Sequence, residues 1–198
     1  DFKLDSYGNI HILMQIFPTG DEGSSFCDWE YQDNLGMNIP VDNGAGWYHF
    51  TVPFEQLIDG IGDWNVSRVV TGAHTWCYQD QSGNSQIWGN LAGLAFDRWD
   101  TSIVYVVTNL GVPGEGYEHF DAWSEDIFIF KSEDNGQSWW NPLNVSNTPS
   151  YPGDPYPLHE GFPHVYQWVD DDMIHFVYQR PNWNWNESGD FVDEGFMN

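Results

Sequence analysis

Hydrophobic residues along the chain are grouped in short runs, some of which alternate with polar residues, and turn-forming residues separate these runs. The clearest run covers residues 127–130, and a polar turn and two tryptophans follow it directly. Short alternating runs bounded by Gly, Asn, Asp and Ser are typical of antiparallel strands. No long stretch has the period of an amphipathic helix, so the pattern predicts an all-β protein.

The same hairpin pattern occurs three times, as two apolar runs joined by a polar turn. The runs are residues 2–4 with 10–17, 94–96 with 103–107, and 164–168 with 173–178. The run 10–17 is apolar on both faces, so we expect it to lie between two neighbouring strands. Further strands are predicted at 46–52 and, more weakly, at 67–71 and 86–88. Residues 53–58, which begin with Pro, are predicted to form a single helical turn.

The second copy of the hairpin extends into a unit of four strands, predicted at 92–96, 103–108, 127–131 and 139–145. Its last two strands are joined by the sequence Ser-x-Asp-x-Gly-x-Ser-Trp. Asp and Ser side chains can bind backbone amides of their own turn, and Gly can adopt a positive φ. Trp139 is expected to fold back as an apolar plug under this turn.

This sequence resembles the Asp-box, or BNR repeat, of sialidase-like β-propellers. The motif positions are occupied as follows: Ser132, Asp134, Gly136, Ser138 and Trp139. In that family the motif is a structural turn between the third and fourth strands of a blade, remote from the catalytic face. The resemblance therefore implies a propeller-like architecture of four-stranded antiparallel blades, with Asp134 as a turn-former and not a catalytic acid.

The resemblance also implies a domain organisation. Residues 1–198 would form one propeller-like segment, with a first blade over about 1–90, a second over about 91–148 and the start of a third over about 161–198. Closed propellers typically have about four to eight blades. We therefore expect a partial propeller whose remaining blades belong to a longer chain. The alternatives are that other subunits cover its edges or that it is an open sheet assembly.

Composition limits the partners. The chain has 5 Lys and Arg against 30 Asp and Glu, and a net charge of −25. This charge argues against nucleic acid as a partner, because that requires a basic face, and it opposes contact with anionic membranes. A solvated acidic surface is the favoured interpretation, and Ca²⁺ binding is the alternative. No Asp-x-Asp-x-Asp-Gly loop supports calcium, and no other cofactor is expected.

Cysteine content and hydropathy bear on the compartment. Cys27 and Cys77 can form one disulfide in an oxidising compartment, and two buried thiols fit the sequence equally well. No apolar run approaches the roughly 20 residues that span a bilayer, so no membrane insertion is predicted. We expect a processed piece of a secreted or cell-surface protein.

The sequence offers little support for catalysis, and no residue is predicted to be catalytic. In the sialidase-like family, activity needs an arginine cluster, a Tyr nucleophile paired with Glu, and an Asp acid/base. The chain has Arg68, Arg98 and Arg180, and none of them lies in an Arg-Ile-Pro context. Glu125 and Asp126 are interpreted as loop charges, and residues 170–172 as a solvated hairpin tip.

Histidines and aromatic residues supply the other candidates. His11 and His175 occupy matching strand positions, which favours packing over metal binding, and no metal site is predicted. Aromatic rings beside polar groups suit sugar faces. The candidate ligand-binding residues are Tyr117, Trp123, Tyr151, Tyr156, Arg180, Trp183 and Trp185. They predict a non-catalytic segment that recognises a glycan or an extracellular protein. The alternative is part of a sialidase-like glycoside hydrolase with its catalytic residues outside this segment.

Overall fold

The computed structural model describes residues 1–16, 46–58, 62–71, 78–79, 85–86, 91–117, 122–149, 160–185 and 191–196. This part of the chain is mostly β-strand, in sheets that are antiparallel apart from one short parallel pairing. A single short helix, α1 (Phe54–Ile58), is present in these residues. The all-β prediction is confirmed, and the helical turn after Pro53 is where the sequence places it.

The first sheet is a four-stranded meander. Its strands are β1 (Phe2–Leu4), β2 (Ile10–Ile16), β3 (Gly46–Val52) and β4 (Asn65–Thr71), in the order β1-β2-β3-β4. The strand β2 pairs with a neighbour on each side, as its two apolar faces predict. In this sheet His11 pairs with Thr51, and Leu13 pairs with His49.

The second sheet contains the four strands predicted for the second unit. They are β7 (Ala92–Asp97), β8 (Val104–Tyr117), β9 (Ala122–Ser132) and β10 (Leu143–Asn144), and the order is β10-β9-β8-β7-β12. The short strand β12 (Trp168–Val169) pairs with β7 in parallel, which the sequence pattern does not predict. The fourth strand is shorter than expected, because residues 139–142 form no ladder.

Three small sheets complete the description. β11 (Gly161–Val165) pairs with β13 (Phe176–Gln179), β14 (Pro181–Trp185) with β15 (Phe191–Phe196), and β5 (Tyr78–Gln79) with β6 (Ser85–Gln86). The hairpin β14–β15 lies near the end of the described chain. The strands β8 and β9 extend beyond the predicted bounds of 103–108 and 127–131, and they stay paired there as far as Tyr117 and Ala122.

The core lies between the first and second sheets. It combines Leu13, Trp47 and Val69 of the first sheet with residues of the second sheet: Leu94, Phe96, Val104, Val106, Leu110 and Phe130. Strands alternate their side chains between two faces, so the other face of the second sheet must be covered separately. There β11 packs over β7 and β8, and Val165 lies directly against Gly93. The β11–β13 sheet therefore covers the face of the second sheet that points away from the first.

Lys3 of the first sheet contacts both the second sheet and the β11–β13 sheet. Its ammonium group donates to the carbonyl of Leu94 on β7 and, at 3.3 Å, to that of Val165 on β11, and it lies 3.4 Å from the Asp1 carboxylate. Burial lowers the pKa of Lys3 to about 8. The strands β1, β7 and β11 thus approach one another around a single cation.

Candidate functional site

The turn that follows β9 is held by the side chains of Ser132 and Asp134. The Asp134 carboxylate accepts hydrogen bonds from the N–H groups of Gln137 at 3.0 Å and Ser138 at 2.8 Å, and from the Ser138 hydroxyl. The Ser132 hydroxyl donates to Asp134 at 2.7 Å and accepts from the Gly136 N–H at 2.8 Å. Asn135 and Gly136 have φ values of 59° and 78°. Asn and Gly are the residues that adopt this left-handed conformation most readily.

The electrostatics of Asp134 agree with a turn-forming role. Slight burial would raise its pKa, but hydrogen bonds from Ser138, Ser132 and Gln137 outweigh it and lower the pKa to about 2. A carboxylate that stays ionised and already accepts several bonds is a poor proton donor near neutral pH. These hydrogen bonds are those expected of a side chain that holds its own turn.

The turn also docks on the first sheet. The Gly136 carbonyl accepts a hydrogen bond from the Ser67 hydroxyl on β4 and lies 3.4 Å from His49 Nδ1 on β3. Trp139 packs against the core, and its indole N–H donates to Ser67 Oγ at 2.9 Å. The plug predicted for Trp139 is therefore present, and it joins the second sheet to the first.

A second polar group lies at the other end of β9. Glu125 and Asp126 stand about six residues before Ser132, which at roughly 3.3 Å per residue places them about 20 Å from the turn. Both are buried. Glu160, just before β11, is buried as well, and the Glu160 N–H donates to the Glu125 carbonyl at 3.0 Å. The interpretation of Glu125 and Asp126 as loop charges is wrong, because both lie on a paired strand with buried side chains.

Glu125 is held in its neutral form by its surroundings. Its side chain is 2% exposed, and Asn109 Nδ2 donates to Glu125 Oε2 at 2.6 Å. Burial raises the pKa of Glu125 to about 8, although the bond from Asn109 acts in the opposite direction. A carboxyl group in this environment is protonated at pH 7 and can act as a hydrogen-bond donor.

Asp126 and Glu160 lie together with small polar side chains. Asp126 accepts hydrogen bonds from Asn144 Nδ2 at 2.6 Å and from the Thr148 hydroxyl at 3.0 Å. Burial raises the pKa of Glu160, while hydrogen bonds with Ser146 and Thr148 and the charge of Arg180 lower it.

The same group reaches the surface at Tyr178 and Arg180. The phenol of Tyr178 is hydrogen-bonded to Glu160, and the Tyr178 ring is 42% exposed. Partial burial and the neighbouring Glu160 charge raise the pKa of Tyr178, against the charge of Arg180. Arg180 itself is exposed at the end of β13. A fixed phenol beside a guanidinium group offers an aromatic face together with a planar set of donors.

The aromatic residues predicted to bind a ligand have side chains outside the described part of the structure. Tyr117 and Trp123 lie on the paired ends of β8 and β9, and Trp183 and Trp185 lie on β14, but only the backbone of these four residues is described. Tyr151, Tyr156, Cys27 and Cys77 lie outside the described residues, so the ligand and disulfide predictions for them stay predictions.

Arg180 is among the residues that the sequence singles out, whereas Tyr178 is not, and the sequence pattern suggests only loop charges for Glu125 and Asp126. Two carboxyl residues within an otherwise apolar strand pattern were the signal that could have indicated buried polar positions on β9.

The histidines and acidic turn give a mixed result. His11 is fully buried against Phe96, as the packing prediction requires, whereas His175 is exposed, so the packing prediction is wrong for it. Asp171 and Asp172 are exposed in the turn before β13, which confirms the solvated hairpin tip. Among the described residues, no group of three or more His, Cys, Asp or Glu side chains is placed to hold a metal ion.

In the part of the chain that the structure describes, no helix has the length and apolar character needed to cross a bilayer. Comparisons with protein-family models, with curated proteins and with solved structures find no significant match.

Proposed function

We propose that the chain is a non-catalytic segment of a secreted or cell-surface β-propeller and that it recognises glycans. The observation that carries the proposal is the pair Tyr178 and Arg180, exposed beside buried Glu160. A sugar needs an apolar platform for its C–H face and fixed polar groups for its hydroxyls. Tyr178 supplies the platform, Arg180 the donors, and Glu160 fixes the phenol.

The architecture supports the propeller part of the proposal. Two four-stranded antiparallel meanders and the β11–β13 pair pack face to face, which is how consecutive blades of a propeller are arranged. The Ser132–Trp139 turn joins the third and fourth strands of the second meander. Tyr178 and Arg180 belong to the group at the far end of β9, on the side of the sheet away from that turn.

A binding experiment tests the proposal. The full-length protein should bind at least one member of a glycan panel, and Tyr178→Ala and Arg180→Gln should each weaken that binding about tenfold or more, since each group contributes on the order of 1.4 kcal/mol or more. Tyr166→Ala and Arg98→Gln are matched controls, because Tyr166 is another exposed tyrosine and Arg98 pairs with Asp170. Binding that survives both site variants, or no binding to any glycan, would refute the proposal. Binding to an extracellular protein and to no glycan would instead favour a segment that recognises a protein.

A second candidate is part of a sialidase-like glycoside hydrolase. The Tyr178–Glu160 hydrogen bond beside Arg180 favours it, since a phenol can pass its proton to such a carboxylate. However, Arg98 follows β7 at the end of the sheet that carries the 132–139 turn, and Arg180 lies at the opposite end. These two arginines cannot grip one carboxylate, so the hydrolase candidate requires residues outside this segment. Release of a fluorescent aglycone from an aryl sialoside by the full-length protein, with loss in Tyr178→Phe, would support it.

A further inference from the structure

Four polar groups form a chain through the buried space between the first sheet and the 132–139 turn. Asp5 Oδ2 lies 3.5 Å from His11 Nε2, His11 Nδ1 lies 2.9 Å from His49 Nε2, and His49 Nδ1 lies 3.4 Å from the Gly136 carbonyl oxygen. Both imidazole rings are 0% exposed. Phe96 packs on His11 and Trp139 on the edge of His49, so apolar rings close the space.

The positions of the protons follow from the two ends of this chain. The Gly136 carbonyl and an ionised Asp5 carboxylate can only accept hydrogen bonds. His49 Nδ1 must therefore carry a proton toward Gly136, which leaves His49 Nε2 as an acceptor. His11 Nδ1 must then donate to His49, and His11 Nε2 must donate to Asp5. Three protons are needed on four ring nitrogens, so the pair holds one positive charge, located on His11.

Asp5 is built to balance that charge. Its carboxylate also accepts hydrogen bonds from the N–H groups of Tyr7 and Asn9, each at 2.9 Å, and from Asn9 Nδ2 at 2.7 Å. Burial alone would raise the pKa of Asp5, but the hydrogen bonds from His11, Asn9 and Tyr7 outweigh it and lower the pKa. One carboxylate thus balances one imidazolium.

We propose that Asp5, His11 and His49 form a proton-sensitive clasp that holds the 132–139 turn on the first sheet and releases it when His49 gains a proton. A proton on His49 Nε2 would point at the proton on His11 Nδ1 across 2.9 Å. It would also put a second positive charge in a space where, among the residues that the structure describes, Asp5 supplies the one carboxylate in contact with the imidazole pair. Burial and the charge of His11 lower the pKa of His49 to about 4 from its ordinary value of 6.5.

The other charged groups near the clasp do not relieve this conflict. On β1, Lys3 pairs with His11, but its ammonium group is bonded to the carbonyls of Leu94 and Val165. On the turn, the Asp134 carboxylate is bonded to Ser132, Gln137 and Ser138. On β4, Ser67 faces His49, and its neighbour Arg68 points to the opposite face of the strand.

The clasp should open before the turn itself unfolds. The bonds inside the turn rest on Asp134, whose pKa of about 2 keeps it ionised while His49 becomes protonated. Between pH 6.5 and pH 4, a folded turn would leave the first sheet as a unit. Release would break the contacts of Gly136 with His49 and of Trp139 with Ser67.

Nitrogen NMR of the histidine rings tests the proton count directly. At pH 7 His49 should be neutral, with its proton on Nδ1 and an unprotonated Nε2 facing His11. A His49 ring that carries its proton on Nε2 at pH 7 would overturn the proposal. This measurement uses the unmodified chain, so it remains decisive even if a substitution prevents folding.

Hydrogen exchange tests the release. The protection factor of the Trp139 indole N–H should fall at least about tenfold between pH 6.5 and pH 4, since one unit of pKa shift corresponds to a tenfold change in equilibrium. The Ser138 N–H, which binds Asp134, should keep its protection over the same range. In His49→Gln the loss at Trp139 should disappear, whereas the control His164→Gln, at an exposed position, should behave like the wild type. The same loss in His49→Gln, or simultaneous loss at Ser138, would overturn the clasp.

Discussion

Gly136 lies against the ring of His49 so closely that no larger residue fits. A Cβ atom at residue 136 would stand 2.2 Å from both Cε1 and Nδ1 of His49, and φ at Gly136 is 78°. Gly136 of the turn and His49 of the first sheet are 87 residues apart in sequence, and two separate reasons require glycine where they meet. The backbone requires a left-handed conformation there, and the imidazole occupies the space of a side chain.

Gly136→Ala should consequently be one of the more damaging single changes in the chain. The left-handed conformation costs alanine about 1–2 kcal/mol, and the clash with a buried ring adds a similar amount or more. We expect the free energy of unfolding in urea to fall by about 2–5 kcal/mol. Gly8→Ala is the matched control, because its φ is 82° and nothing lies within 4 Å of the added Cβ. Equal losses for the two variants would contradict the contact with His49.

The packing of β11 on the second sheet can be tested at Gly93 and Val165. A Cβ at residue 93 would lie 2.7 Å from Val165 Cγ1, so Gly93→Ala should cost about 1–3 kcal/mol by overpacking. Val165→Ala removes the atom that clashes, and the double variant should recover much of this loss. A double-mutant cycle by urea unfolding measures the coupling. Additive losses would mean that the two side chains do not meet.

The strands of both meanders could be predicted from sequence because their signal is local. Ile10 to Ile16 and Ala92 to Asp97 are short apolar runs bounded by turn-forming residues, and they are recognised without help from distant residues. The hydrogen bonds of the 132–139 turn were equally predictable, since Ser132, Asp134 and Ser138 bind the backbone of their own segment.

The contacts between sheets could not be predicted in this way. From the local pattern, His11 and His49 can at most be predicted to pack in the interior. Their contact with each other depends on the pairing of β2 with β3, which brings together residues 38 positions apart. Glu125 is a second residue that is buried by a segment distant in sequence. The strand β11, some 35 residues later in the chain, covers this face of the second sheet.

The hydrogen bonds of Asp134 predict a specific dependence on pH. Asp134→Asn should cost about 1–2 kcal/mol near pH 7, because the oxygen that accepts from the Ser138 hydroxyl becomes an amide donor and the remaining bonds lose the negative charge of their acceptor. The folded pKa of about 2 lies below the ordinary value of 3.8, so the stabilisation is present above pH 3.8 and is lost as the pH falls through 2. Urea unfolding at pH 7 and pH 2.5 should show the cost of the variant shrinking in acid. Glu133→Gln, which removes only the exposed pair with Lys131, should change stability by less than about 0.5 kcal/mol.

The raised pKa of Glu125 predicts that stability depends on pH in the opposite direction. The folded pKa of about 8 lies above the ordinary value of 4.5. The contribution of Glu125 to the free energy of unfolding is therefore fully present below pH 4.5 and is lost as the pH rises toward 8. Glu125→Gln keeps the shape and the oxygen that accepts from Asn109, and it removes the ionisation. The variant should match the wild type at pH 4.5 and should be more stable by on the order of 4 kcal/mol at pH 8, because each unit between the ordinary pKa of 4.5 and the folded pKa of about 8 adds about 1.36 kcal/mol. The measurement is the difference in unfolding free energy between the two proteins at several pH values, which cancels the titration of every other group. A difference that stays flat from pH 4.5 to pH 8 would show that Glu125 is ionised in the folded protein and that its burial does not suppress its charge.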